Sequence, residues 1–104
     1  MSKATKTLAI EQLRQRAWLG DGVLELFVRQ WVLNQGQGLD AELKKRFTCN
    51  DFLACFGPPT EIEARIGVIY QQEGLQAAFD WIERELLPRF LKQELKRRSR
   101  RQQV

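Results

Sequence analysis

Apolar positions recur along the chain at helical spacing, and alternating runs of β-branched residues, the mark of strands, are nearly absent. Leu8, Leu13, Ala17 and Trp18 outline a first helix over 8–19 that stops at Gly20. The next run, 23–33, is denser, with Val23, Leu24, Leu26, Phe27, Val28, Trp31, Val32 and Leu33. A helix that apolar needs cover on more than one side, so it is expected at the centre of the fold. Asn34-Gln35-Gly36-Gln37-Gly38 ends it, Asp40 is placed to cap a short helix through Phe47, and a further short piece over 50–56 stops at Gly57. Pro58-Pro59-Thr60-Glu61-Ile62-Glu63 reads as a helix start, with Thr60 as N-cap and Glu63 completing a capping box. That helix carries Ile66, Ile69 and Tyr70 and runs to Gly74; another follows with Leu75, Ala78, Phe79, Ile82 and Leu86 on one face. Pro88 kinks it or opens a new segment, whose last apolar anchors are Phe90 and Leu91. The pattern predicts an all-α protein, a compact bundle of five or six helices.

Composition adds boundaries to that picture. A chain of 104 residues, 43% hydrophobic and 29% charged, is one small globular domain. No apolar run approaches the ~20 residues that span a bilayer, and no secretory leader is recognisable, so a cytoplasmic protein without membrane contact is expected. Cys49 and Cys55 then read as reduced, mostly buried thiols. The net charge of +4 is unevenly placed: from Lys92 onward six cations (Lys92, Lys96, Arg97, Arg98, Arg100, Arg101) face one acid, Glu94, and the preceding 91 residues sum to −1. The expected organisation is a helical domain over 1–91 with a basic tail over 92–104. Such a tail suits nucleic-acid phosphate, and equally suits a solvated tail that aids solubility.

The chemistry open to this chain is narrow. There is no histidine, and two cysteines alone cannot make a Cys/His zinc site of four ligands. No serine sits in a nucleophile-elbow context, and Gly36-Gln37-Gly38 lacks the lysine of a phosphate-binding loop. Carboxylates remain. Asp21 opens the most apolar helix and Glu63 lies one turn into another. Two carboxylates brought together from separate helices can hold Mg²⁺, or Mn²⁺ in its place, but the same two residues could serve only as helix caps. Glu25 and Arg29 are spaced for an ion pair, Glu61 is a first-turn acid favoured by the helix dipole, and Trp31 and Trp81 read as core.

Two motifs in order narrow the field. Ala17-Trp18-Leu19-Gly20-Asp21-Gly22-Val23-Leu24-Glu25-Leu26-Phe27-Val28-Arg29 resembles the signature helix of the ribonuclease III superfamily, and is most similar to its Mini-III branch. Glu63-Ala64-Arg65-Ile66-Gly67-Val68-Ile69-Tyr70, followed by Glu73-Gly74-Leu75-Gln76-Ala77-Ala78, resembles the family's second conserved helix, and Thr48-Cys49-Asn50-Asp51-Phe52-Leu53-Ala54 is weakly similar to the helix between them. The matches span 13–82.

The resemblance implies a ribonuclease III-like fold, with Asp21 and Glu63 as catalytic ligands of Mg²⁺ and Trp18 packing into the partner of a homodimer. It implies cleavage of structured or double-stranded RNA, one strand by each half of the dimer. Glu25 and Glu61 become candidate auxiliary ligands, and Lys92, Lys96, Arg97, Arg98, Arg100 and Arg101 candidate RNA contacts. The chain departs from the family in two places. The two further acidic positions of classical members read Ala17 and Thr60, as the Mini-III branch also lacks acids there; and the segment before Glu63 has shrunk to Phe56-Gly57-Pro58-Pro59. A catalytically inactive RNA-binding or ribosome-associated protein is the alternative, and a helical protein-interaction module a third reading.

Overall fold

The computed structural model describes residues 3–102; positions 1, 2, 103 and 104, included in the expected domain and tail, lie outside the described residues. Six helices account for nearly all of them: α1 (Lys3–Asn34), α2 (Ala41–Thr48), α3 (Asn50–Leu53), α4 (Pro59–Glu73), α5 (Leu75–Glu85) and α6 (Leu87–Gln102). Among the described residues there is no strand, and no helix is long and apolar enough to cross a membrane.

The largest difference from the expected elements lies in α1. The expected break at Gly20 does not occur, and one helix runs through Gly20-Asp21-Gly22 to Asn34. Each glycine in a helix interior costs about 1 kcal/mol relative to alanine, so the continuity must be supported by packing. At Gly20 it is. A Cβ built there would lie 1.7 Å from the Glu63 carbonyl oxygen, and one built at Gly67 would lie 2.0 Å from the Arg16 carbonyl oxygen. The two glycines let α1 and α4 meet backbone to backbone. Arg16 faces Gly67 and Gly20 faces Glu63, so the two helices cross antiparallel.

The start of α4 also differs from the expected capping box. Pro58 is the N-cap, its carbonyl accepting from Glu61 N (2.9 Å) and Ile62 N (3.1 Å), and no side chain caps the helix. Pro59 explains the shift. Its fixed φ and missing N–H suit the first helical position, and it holds Pro58 in an extended conformation, so the helix begins one residue before Thr60 could cap it. Elsewhere the expected punctuation holds. Asp40 caps α2 through Leu43 N (3.0 Å), and Gly74 (φ 96°) closes α4 while donating to the Tyr70 carbonyl. The piece over 50–56 is helical only to Leu53 and continues as tight turns to Phe56.

The core forms around α1. Leu24 and Val28 are fully buried, with Ile66 of α4, Ala78 and Ile82 of α5, and Leu86 between α5 and α6. At its far end Phe47 sits in a nest of rings, 6.0 Å from Trp31, 5.3 Å from Phe52 and 4.4 Å from Phe90, each pair adding about 0.5–1.5 kcal/mol beyond its buried area. Trp31 and Trp81 pack against this core, as expected. The basic segment continues α6 without a break as far as Gln102, tied down by a two-pronged ion pair from Arg46 of α2 to Glu94 (2.9 and 3.1 Å).

Candidate carboxylate site

Asp21 lies on α1 at the border between its buried and exposed sectors, immediately after the glycine that touches the Glu63 backbone. At 3.6 residues per turn, Gly20, Leu24, Ala17 and Val28 face the core, while Trp18, Gly22, Leu26 and Leu33 face outward. The crossing thus brings the Asp21 and Glu63 side chains into each other's neighbourhood at its rim. Both carboxylates are half-buried.

The pair has an unusual charge state. Glu63 is pushed up to about 7, first because burial disfavours its charged form, then because it hydrogen-bonds to Asp21 and lies beside that negative charge. Near neutral pH the Glu63 carboxyl is therefore protonated in a substantial share of the molecules. Among the described residues no lysine or arginine forms an ion pair with either; the four ion pairs present lie at Glu25–Arg29, Glu25–Lys44, Arg46–Glu94 and Arg84–Glu85. Neither carboxylate is a helix cap. Asp21 sits in mid-helix, and Glu63 lies more than a turn inside a helix whose cap is Pro58. The capping roles that the local sequence allowed are removed by the geometry.

The other expected site residues are placed as follows. Glu25 lies one turn beyond Asp21, but both its oxygens are engaged, Oε1 by Lys44 Nζ (2.9 Å) and Oε2 by Arg29 (3.2 Å). It ties α1 to α2, and the Glu25–Arg29 spacing forms the ion pair its sequence suggests. Glu61 is an exposed acid in the first turn of α4. Trp18 is 79% exposed, one turn before Asp21. Lys92, Lys96, Arg98, Arg100 and Arg101 are exposed on α6, and Arg97 is half-buried. Cys49 is half-buried, but Cys55 is exposed, contrary to its expected burial; it follows α3 on the turn, where its Sγ accepts from Gln93 of α6.

Gly20 and Gly67 are the positioning residues that motif reading passed over. A signal for them exists in the sequence: each is an isolated glycine within an apolar helical run, a placement that calls for a packing reason. No protein-family model, no curated protein and no solved structure matches this chain.

Proposed function

We propose that this chain is a divalent-cation-dependent endoribonuclease of the ribonuclease III type, acting as a homodimer on structured or double-stranded RNA. One observation carries the reading. Two carboxylates from different helices, neither used as a cap nor ion-paired among the described residues, lie beside a close backbone contact between those helices.

The donor set fits a hard divalent ion such as Mg²⁺. Asp21 and Glu63 would hold it through oxygen, and with only two protein ligands the remaining positions would stay hydrated, as Mg²⁺ prefers. When bound, such an ion activates water and offsets the charge that develops on a phosphodiester. Glu63 contributes a proton switch: its carboxyl must lose its proton before it can ligate, so affinity should rise with pH through about 7. Gly20 and Gly67 allow the close helix approach that puts the two carboxylates on neighbouring backbone, and Trp18 offers an exposed aromatic surface one turn away, of the kind that anchors subunit interfaces.

The test is incubation of the full chain with a panel of structured RNAs, with Mg²⁺ and with EDTA, beside Asp21→Asn and Glu63→Gln. The expected result is cleavage that requires Mg²⁺ and falls by at least about a hundredfold in either variant. No Mg²⁺-dependent cleavage of any RNA sinks the catalytic reading. One observation favours the inactive, RNA-binding alternative: the cations of α6 lie mostly exposed, away from the carboxylate pair. RNA binding retained without cleavage would select it, and loss of both would leave the protein-interaction reading.

A further inference from the structure

A second chemical feature lies on α6, among residues that the carboxylate pair does not use. Arg89, Gln93, Lys96 and Arg100 follow one another at i, i+4, i+7 and i+11, which places them on one line along about 17 Å of helix. This line is the crest between two clefts. The larger, about 760 Å³, runs between α6 and the α2–α3 junction, with Arg97, Arg100 and Arg101 on its rim and Phe52 and Phe90 at its floor. The smaller, about 510 Å³, lies against Phe56 and the end of α5 and adds Arg84, Arg89 and Lys92. Gln93 and Lys96 line both.

The charge here is mostly uncompensated. Arg89, Lys92, Lys96, Arg97, Arg100 and Arg101 make no ion pair among the described residues. Glu94, the one acid of α6, is already neutralised by Arg46, and Glu85 by Arg84, which leaves Asp51 in the larger cleft as the one lining acid without an ion pair among the described residues. Six unpaired cations held along one stiff helix repel each other, and a polyanion laid on the crest relieves that repulsion.

We infer that this crest and its two clefts form a track for the phosphate backbone of a double-helical nucleic acid, which binds there without any metal and whether or not the carboxylate pair is catalytic. Two features of the surface select this occupant. Single strands are usually gripped by stacking bases on open aromatic faces, but Phe52 and Phe90 are buried and Arg89 lies over the Phe56 ring at 5.7 Å. An anionic membrane would be met by apolar and cationic groups together. The exposed leucines of α6, Leu91 and Leu95, project from the side of the helix opposite the crest, so their insertion would turn the cations away from the lipid.

Anisotropy titrations of the full chain in EDTA, with an RNA duplex, a DNA duplex of equal length, a single strand and anionic phosphatidylserine vesicles, test the track. They are run from about 50 to 200 mM salt, where phosphate contacts have their largest effect. The variant is Lys96→Gln/Arg97→Gln/Arg100→Gln, since glutamine keeps helix propensity, and Lys45→Gln on exposed α2 is the control. The wild type is expected to bind both duplexes more tightly than the single strand or vesicles. The triple variant should bind at least about tenfold more weakly, with the slope of log affinity against log salt reduced by about 2 to 3, and the control should match the wild type. Equal RNA and DNA binding identifies a general duplex track, and RNA preference one tuned to A-form geometry; both support it. An unchanged slope in a variant with native circular dichroism, tighter binding of the single strand or vesicles, or no duplex binding at low salt would overturn it.

Discussion

Replacing Gly20 with alanine adds one methyl group where α1 and α4 are closest. The new Cβ would lie 1.7 Å from the Glu63 carbonyl oxygen, 2.6 Å from its carbon and 2.9 Å from Gly67 N, against an ordinary contact of 3.4 Å or more. All three obstructing atoms are backbone, so no rotamer change makes room, and the helices must part by roughly 1.5 Å locally. A gap of even 0.5–1 Å forfeits about a quarter to a half of the dispersion between the facing atoms, and here the interface includes Ala17, Leu24, Ala64 and Ile66. Overpacking of this severity costs about 3–4 kcal/mol, while alanine's helix propensity returns about 1, for a net loss of about 2–3 kcal/mol. Gly22, two residues away in the same helix, is the internal control. Nothing lies within 4 Å of a Cβ there, so Gly22→Ala should stabilise by about 0.5–1 kcal/mol. Urea unfolding of both variants at one protein concentration measures the contrast. If Gly20→Ala unfolds within about 0.5 kcal/mol of the wild type, or gains stability alongside Gly22→Ala, the close crossing is not what holds α1 to α4.

Three further outcomes are expected. Because the folded-state pKa of Glu63 is raised from 4.5 to about 7, the native state holds more protons than the unfolded state between those values. The stability this provides is therefore present below about pH 4.5 and lost as pH rises through 7, by an amount on the order of 2 kcal/mol after allowance for partial solvent screening. Glu63→Gln should flatten that decline in thermal melts, and Mg²⁺ should raise the wild-type melting temperature more at pH 8 than at pH 6; a decline that persists in Glu63→Gln, or a pH-independent Mg²⁺ effect, would place the linkage elsewhere. Sedimentation of the wild type should show a dimer that Trp18→Ala shifts toward monomer, and a monomeric wild type refutes the interface. Arg46→Ala strands the half-buried Glu94 and should cost about 1–3 kcal/mol in urea unfolding, whereas Arg29→Ala, whose side chain is 64% exposed, should cost less than about 0.5; equal costs would argue against α2 anchoring α6.

Local chemistry made much of this protein legible in its sequence. Apolar spacing marked the helices, Asp40 and Gly74 placed two of their ends, and the dense run over 23–33 correctly named the central helix, because burial on several sides demands apolar residues on several sides. The two carboxylates were visible as candidates, but so were their capping roles, since both readings use the same side chains at the same spacing. Tertiary structure removed the capping roles. A helix can run through Gly20-Asp21-Gly22 only if something compensates two glycines, and that compensation lies more than forty residues away, at the Glu63 carbonyl and Gly67. The same crossing buries Glu63 beside Asp21 and raises its pKa, a property no local pattern encodes because it depends on a neighbour from another helix. The basic segment divides in the same way. Its charge was plain in the sequence, while its shape, a crest between two clefts pinned by Arg46, arises from the packing of α6 beside α2, the turn after α3 and the end of α5.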